Sequence, residues 1–178
     1  GNPSLLLDPD FNVVWEQEVA GAGHKGDTVD VDGDGLDELL IGFSLFDHDG
    51  TPLWSHSPMS ENDHLDDSVI ADIDGDGRFE FALAHDGHDA VVHNVDGSER
   101  FRVAMHHCQN IWKGKFFEAE PGLQLAFVDK AIGNAEDREA AVVSSDGREL
   151  SRHRTMGYYS VIGWPTDLGA QSLIRLEW

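Results

Sequence analysis

The sequence has one cysteine, few basic residues and no long apolar run. Lys and Arg occupy 12 of its 178 positions against 34 for Asp and Glu, which gives a formal net charge of −22. The single thiol, Cys108, excludes a disulfide within the chain. The shortage of cations argues against a nucleic-acid partner, because phosphates demand a basic surface. No apolar stretch approaches the roughly 20 residues that cross a bilayer, so no membrane span is expected.

The composition nevertheless suits a folded domain. Hydrophobic residues make up 40% of the chain and include five Trp and nine Phe, enough for a core. Residues 1–7 lack the basic start and apolar stretch of a signal peptide. If the native protein is exported, we expect its signal to be missing from this sequence.

A repeated acidic motif organises the sequence. Asp-Val-Asp-Gly-Asp-Gly at 30–35 returns as Asp-Ile-Asp-Gly-Asp-Gly at 72–77, and each copy is followed by a Glu and an apolar run. Later in each unit an Asp-Gly turn precedes a large apolar residue, at 49–50, 96–97 and 146–147. Self-similarity at a period of about 45 residues indicates a repeat architecture.

Each unit is predicted to form four short strands. Asp-Gly between β-prone segments is a strong hairpin signal, and Gly or Asp-Gly interrupts every window long enough for a helix. In the first unit the strands are predicted near 28–31, 38–42, 44–46 and 52–55. Four-stranded units of this length are typical of propeller blades. We therefore predict an all-β fold, a β-propeller of four-stranded antiparallel blades.

The predicted module contains three complete blades and two half-blades. The complete blades span 24–56, 63–104 and 106–153, between half-blades at 4–19 and 157–178. In the third blade the acidic loop is replaced by a segment without its Asp residues. The half-blades could pair to close a four-bladed ring, a homodimer could close a larger ring, or the remaining blades could belong to a longer chain. The last two are favoured, because strand edges left by cutting must be covered.

The two acidic loops, loop 1 (residues 30–38) and loop 2 (residues 72–80), are predicted to bind Ca²⁺ as structural sites. Ca²⁺ takes about six to eight oxygens, and alternate carboxylates on a tight glycine turn converge on one point. A solvated acidic turn without metal is the disfavoured alternative, because packed carboxylates repel one another. The predicted ligands, which include the backbone carbonyls of Leu36 and Arg78, are Asp30, Asp32, Asp34, Leu36 and Glu38 in loop 1, and Asp72, Asp74, Asp76, Arg78 and Glu80 in loop 2.

The Asp-x-Asp-Gly-Asp-Gly-x-x-Glu loops resemble the calcium loops of FG-GAP repeats in integrin-type propellers. More closely, the chain resembles bacterial rhamnogalacturonan lyases and related polysaccharide lyases with propeller folds. The resemblance implies about half of such a propeller, secreted or at the bacterial cell surface, that cleaves an acidic polysaccharide by β-elimination. It is carried by Gly23-His24-Lys25-Gly26-Asp27, Asp63-His64-Leu65-Asp66, His106-His107-Cys108-Gln109, Gly114-Lys115-Phe116 and Pro121-Gly122-Leu123-Gln124.

A histidine lies shortly before the first strand of each of the three units. In a propeller these loops line one mouth of the central channel, where a ligand would bind. β-Elimination needs a cation for the uronate carboxylate, a base for the C5 proton and an acid for the leaving oxygen. The candidate catalytic residues are His24, His64, His106 and His107 as bases, Lys25 as the cation and Tyr158 as the acid. The candidate sugar-binding residues are Asp63, Asp66, Gln109 and Trp112.

Other interpretations of these residues stay open. An alternative interpretation is that the histidines only hydrogen-bond within the loops between blades. A zinc ion held by His85, His88 and His93, or by His106 with Cys108, is a less favoured alternative. Besides a lyase, the chain fits a non-catalytic propeller that binds carbohydrate or a protein partner, or a structural piece of a larger assembly.

Overall fold

The computed structural model describes residues 3–130, 139–154, 158–162 and 172–176, with side chains as far as Arg154. All regular elements in these ranges are β-strands. None of the described residues forms a helix that is long and apolar enough to cross a bilayer. The strands are β1 Ser4–Leu7, β2 Val13–Gln17, β3 Gly26–Val29, β4 Glu38–Ile41, β5 Ser44–Phe46, β6 Pro52–Ser55, β7 Leu65–Ala71, β8 Glu80–His85, β9 Ala90–His93, β10 Glu99–Val103, β11 Cys108–Gly114, β12 Gln124–Asp129, β13 Glu139–Val143, β14 Glu149–Arg154, β15 Tyr158–Ile162 and β16 Ser172–Leu176.

The strands form five antiparallel sheets in chain order. Three are four-stranded meanders: sheet 1 (β3 to β6), sheet 2 (β7 to β10) and sheet 3 (β11 to β14). The strand pairs β1-β2 and β15-β16 form two-stranded sheets towards the two ends of the chain. The all-β prediction and the four-stranded units are confirmed. In the first unit β3 spans Gly26–Val29 rather than 28–31, and β4 ends at Ile41 rather than at 42.

Consecutive sheets pack against one another. One apolar cluster joins sheets 1 and 2 and includes Phe43 and Phe81, and a second joins sheets 2 and 3 and includes Ile111 and Phe127. The second strands β8 and β12 are buried along their whole length, because both faces are covered. Truncating a fully buried Phe such as Phe81 to Ala would cost about 3–5 kcal/mol.

The same two contacts recur from sheet to sheet. First strands adjoin, since β3 contacts β7, β7 contacts β11 and β11 contacts β15. In addition, the glycine of the Asp-Gly turn between the third and fourth strands of each four-stranded sheet lies against an aromatic ring of the preceding sheet. These pairs are Gly50 with Trp15, Gly97 with Trp54, and Gly147 with Phe101. One geometric relation therefore links successive sheets, and it brings the starts of their first strands to one region.

Candidate site where the histidine loops meet

The loop that carries His24 is bound to the start of β7. The backbone N–H of His24 donates to the carbonyl of Leu65 at 2.9 Å, and the N–H of Leu65 donates to the carbonyl of Gly21 at 3.0 Å. Between them, Gly23 has φ +69°, and a Cβ there would lie 1.9 Å from the Leu65 oxygen. Only glycine allows this approach. His24 is thereby placed beside His64, which precedes β7.

His24, His64 and Asp66 form a compact cluster. The two Nε2 atoms lie 3.2 Å apart, and Asp66 Oδ1 lies 3.6 Å from the first and 3.5 Å from the second. The Asp66 side chain is 1% exposed, and its Oδ1 accepts no hydrogen bond from the described residues. Two imidazoles and a carboxylate at this spacing have the geometry of metal ligands.

A second layer of side chains supports this cluster. Asp66 Oδ2 accepts a hydrogen bond from His107 Nε2 at 3.0 Å. His107 Nδ1 lies 2.9 Å from Asp86 Oδ1, although it makes no hydrogen bond of good geometry there. Asp86 Oδ2 is 3.3 Å from His64 Nδ1, which completes a circuit of alternating carboxylates and imidazoles. The carboxylate of Asp86 therefore faces both rings.

His106 is supported separately by Asp129. The Asp129 side chain is fully buried at the end of β12 and accepts the backbone N–H groups of His106 and His107, at 3.2 and 3.0 Å from Oδ1. His106 Nδ1 lies 3.5 Å from Asp129 Oδ2, while the ring is 67% exposed. Because Nδ1 faces the carboxylate, Nε2 is the ring atom able to reach a substrate. A buried carboxylate behind an exposed imidazole suits a general base.

Two of the predicted site residues have structural partners instead. Lys25 Nζ donates to Asp67 Oδ1 at 3.0 Å and to the Ser68 carbonyl at 2.7 Å. Asp63 is buried, where it accepts the Met59 N–H at 2.7 Å and faces His85 Nδ1 at 2.9 Å. These contacts tie Lys25 to β7 of the next sheet, and Asp63 to the loop before β7 and the end of β8.

The remaining candidates lie on the first strands of sheet 3 and of the last pair. Gln109 and Trp112 are half-buried on β11, next to the histidine loops. Tyr158 begins β15, which adjoins β11, but its side chain lies outside the described residues.

The sequence prediction did not single out three aspartates that contact candidate site residues. Asp86 and Asp129 support the histidines, and Asp67 links all three sheets, since its Oδ2 also accepts the Ile111 N–H at 2.9 Å. The only local sequence signal that could have pointed to Asp67 is the neighbouring acid in Asp66-Asp67. The partners of Asp67 lie more than 40 residues away on either side.

The alternative zinc groups do not converge. His88 Nε2 pairs with Ser60 Oγ at 3.1 Å, and His93 Nδ1 with the Gly97 carbonyl at 3.1 Å. Cys108 is buried, and burial raises the pKa of its thiol well above the ordinary value. Among the described residues, the clusters with metal-ligand spacing include none of His85, His88, His93 and Cys108.

The acidic loops have one shared backbone geometry. In loop 1, Asp30 accepts the N–H groups of Gly33 at 2.7 Å and Gly35 at 3.0 Å, and Glu38 accepts that of Val31 at 2.6 Å. The corresponding bonds recur in loop 2 between Asp72 and Gly75, Asp72 and Gly77, and Glu80 and Ile73. In each loop the first two Asp and the Glu bring oxygens within 4.8 Å of one another, as in Asp30, Asp32 and Glu38, and in Asp72, Asp74 and Glu80.

The two loops differ in how their carboxylates are neutralised. In loop 1, Glu38 is 1% exposed and its Oε1 has no partner among the described residues, which fits a bound cation. In loop 2 the guanidinium of Arg100 contacts Asp74 at 2.5 Å and Glu80 at 2.9 Å. Burial still raises the pKa of Glu80 above its ordinary value.

In the degenerate third unit a glutamine and a lysine occupy the turn in place of the Asp ligands and the Glu. Gln124 takes the place of the Glu, and its Oε1 accepts the N–H groups of Phe116 at 2.7 Å and Phe117 at 3.0 Å. Lys115 Nζ donates to the carbonyls of Glu120 and Gly122. A lysine therefore supplies the positive charge inside this turn.

The fold matches solved carbohydrate-active and matrix proteins at low sequence identity. The chain superposes on an exotype rhamnogalacturonan lyase, YesX, with a TM-score of 0.71 and 22% identity over 94% of this chain and 29% of that one. On the V. cholerae biofilm matrix protein Bap1 it superposes with a TM-score of 0.65 and 19% identity, over 88% of this chain and 25% of that one. On a Bacillus licheniformis rhamnogalacturonan lyase the TM-score is 0.59 and the identity 16%, over 83% of this chain and 26% of that one.

These likenesses establish a shared fold. The chain spans less than a third of the length of each of these proteins. No protein-family model matches the chain, and no curated protein matches it significantly.

Proposed function

We propose that this chain forms part of a β-propeller of the polysaccharide-lyase type, which cleaves an acidic extracellular polysaccharide of the rhamnogalacturonan kind by β-elimination. The observation that carries the proposal is that His24, His64 and His107, from the loops before three successive first strands, all lie within 3.6 Å of the buried Asp66 carboxylate. The fold shared with rhamnogalacturonan lyases supports it. In this proposal Ca²⁺ stabilises the acidic loops, and the remaining blades come from a longer chain or a second copy.

In this proposal His106 is the general base. Its Nε2 takes the C5 proton of the uronate, the C5 electron pair forms the C4–C5 double bond, and the C4–O bond breaks. The buried Asp129 carboxylate, 3.5 Å from Nδ1, stabilises the imidazolium that forms. Tyr158 at the start of the neighbouring β15 remains our candidate for the acid that protonates the departing oxygen. Gln109 and Trp112 on β11 remain our candidates for residues that contact the sugar.

The uronate carboxylate must also be neutralised for C5 to lose its proton. Lys25, the residue that the sequence suggested, is already paired with Asp67. With a net charge of −22, the chain needs a local cation here to accept an anionic substrate. His24, His64 and Asp66 have the spacing of metal ligands and are suited to hold such a cation.

The test is product formation from rhamnogalacturonan by the chain in the presence of Ca²⁺, followed through the ultraviolet absorbance of the new C4–C5 double bond. His106→Ala should lower the rate by about 10²–10⁴-fold, the usual contribution of a general base. His88→Ala removes a half-buried histidine outside the cluster and should leave the rate unchanged. If the polysaccharide binds but no unsaturated product forms, the lyase proposal is wrong and the alternative of a non-catalytic carbohydrate-binding propeller is favoured.

A further inference from the structure

We infer that His48, on the turn between β5 and β6, joins Asp34 and Glu38 of loop 1 in a mixed imidazole–carboxylate site for a divalent transition-metal ion, with Mn²⁺ as its representative. The ligands that the sequence predicted for this loop are all oxygens, and the predicted ion is Ca²⁺. The inference goes beyond the proposed function, because it concerns the ion class at one loop and holds whether or not the chain is a lyase.

The first argument is that three ligand groups converge beside loop 1. A ring nitrogen of His48 and one carboxylate oxygen each of Asp34 and Glu38 lie within 4.8 Å of one another. Asp34 Oδ1 accepts the Leu36 N–H at 2.8 Å, while its Oδ2 lies 3.9 Å from His48 Nδ1. The side chains of Asp34 and His48 are 41% and 42% exposed. Small rotations of these two side chains therefore bring all three groups onto an ion with bonds of about 2.0–2.2 Å.

The second argument is the state of the Glu38 carboxylate, which is 1% exposed. Its Oε2 accepts the Val31 N–H at 2.6 Å, whereas its Oε1 is buried and has no hydrogen-bond partner among the described residues. A buried carboxylate oxygen without a partner costs free energy that a bound cation removes. In loop 2 the corresponding oxygen, Glu80 Oε1, accepts a hydrogen bond from Arg100 at 2.9 Å. Loop 1 is therefore the acidic loop better suited to an ion from solution.

The third argument is the support of the His48 ring. Asp47 Oδ1 lies 2.6 Å from His48 Nδ1 and also accepts the His48 backbone N–H at 2.6 Å. A neutral imidazole that donates its Nδ1–H to a carboxylate has its lone pair on Nε2. A carboxylate in this position is the usual support of a metal-binding histidine. The turn thus holds an imidazole beside loop 1 in the tautomer that a metal ligand requires.

The fourth argument is that an imidazole distinguishes loop 1 from its repeat. His48 directly precedes an Asp-Gly dipeptide, and the residues at this position in the second and third units are Val95 and Ser145. In loop 2 the third aspartate, Asp76, is paired at 3.0 Å with Arg78, whose guanidinium has no lone pair for a metal. Imidazole nitrogen favours transition-metal ions, whereas Ca²⁺ prefers oxygen. The two loops should therefore differ in the class of ion that they select.

Mn²⁺ binding to the metal-free chain, followed by electron paramagnetic resonance, tests the site without any polysaccharide. The background is His24→Ala, because the cluster of His24, His64 and Asp66 also offers imidazoles. In this background one equivalent of bound Mn²⁺ should show nitrogen coupling in pulsed spectra. Adding His48→Val, which introduces the residue of the second unit, should weaken that equivalent by about tenfold and remove its nitrogen coupling. Ca²⁺ affinity should change by less than about twofold, because Ca²⁺ prefers oxygen ligands.

The matched control is His153→Val in the same background, which removes an exposed histidine of β14 outside the metal-ligand clusters and should leave Mn²⁺ affinity unchanged. If His48→Val also leaves Mn²⁺ affinity and nitrogen coupling unchanged, the inference is overturned. It is equally overturned if His48→Val strengthens the binding of both Mn²⁺ and Ca²⁺, since His48 then acts as a tethered cation, as Arg100 does in loop 2. A chain that binds Mn²⁺ through His48 but releases no unsaturated product retains the inference and loses only the proposed lyase function.

Discussion

Asp66 on β7 accepts a hydrogen bond from His107, 3.0 Å away and 41 residues later in the chain. Both side chains are almost fully buried. The contact joins sheet 2 to the loop that enters sheet 3, at the point where His24 reaches across from sheet 1. The candidate site and the packing between sheets are therefore made by the same residues. For this reason the tests below measure stability and activity separately.

Gly97→Ala tests the repeated contact between sheets. A Cβ at Gly97 would lie 2.7 Å from Trp54 Cγ, and φ is +82°, whereas at Gly87 φ is +71° with open space around it. Both substitutions pay about 1–2 kcal/mol for the backbone, and Gly97→Ala adds about 1–3 kcal/mol of overlap. Urea unfolding should show the larger loss for Gly97→Ala. Equal losses would mean that the ring contact does not limit packing.

Lys25→Met tests whether Lys25 is structural. Its ammonium pairs with Asp67, which is 13% exposed, so its loss should lower the free energy of unfolding by about 1–3 kcal/mol, between the values for surface and buried pairs. The matched control is Arg102→Met, which removes a surface pair with Glu99 and should cost under about 1 kcal/mol. Unchanged stability together with lost turnover would return Lys25 to the catalytic role that the sequence suggested.

The acidic loops should differ in calcium affinity. Arg100 and Leu53 each lie three residues after the glycine of an Asp-Gly turn, yet only Arg100 brings a charge to its loop. Arg100→Leu should therefore strengthen Ca²⁺ binding by loop 2, and Leu53→Arg should weaken it at loop 1, each by about tenfold for a change near 1.4 kcal/mol. Calorimetric Ca²⁺ titration of both variants checks this.

Removing calcium gives the corresponding stability measurement. Chelation should lower the melting temperature of the unaltered chain, because a ligand that binds only the folded state stabilises it. The loss on chelation should be smaller in Leu53→Arg. If the chelator leaves the melting temperature unchanged, the proposed calcium loops are refuted. If Arg100→Leu leaves the Ca²⁺ affinity unchanged, the predicted difference between the loops is refuted.

His93 should make the fold sensitive to mild acid. Burial, assisted by the charge of nearby His56, lowers the pKa of His93 from 6.5 to about 4. As pH falls from about 6.5 towards 4, His93 becomes protonated in the unfolded chain but stays neutral in the folded chain. The free energy of unfolding therefore decreases, by ~3 kcal/mol at most. His93→Asn keeps a donor for the Gly97 carbonyl and should flatten this part of the profile. Unfolding curves of both variants measured at several pH values, with His88→Ala as control, check this. If His93→Asn leaves the dependence of the unfolding free energy on pH unchanged, His93 is not responsible.

Local sequence predicted the strands well because the signals are local. The Asp-Gly turns fix hairpins between β-prone runs, so sheets 1 and 2 follow their predicted units closely. The bonds from the Asp30 carboxylate to its own loop repeat at Asp72, since they depend on residues at most five positions apart. The roles of Lys25 and Asp63 were not foreseeable in this way, because their partners lie on other strands or other sheets.

By itself, the sequence determined the all-β character, the four-stranded unit and the recurrence of a histidine before each first strand. Those properties rest on turn residues and alternation within a few positions of one another. Only the tertiary structure decided that His24 meets His64, that Arg100 enters loop 2 and that Asp129 supports His106. Each of these contacts spans 20 or more residues, and its distance depends on how one sheet or strand packs on the next.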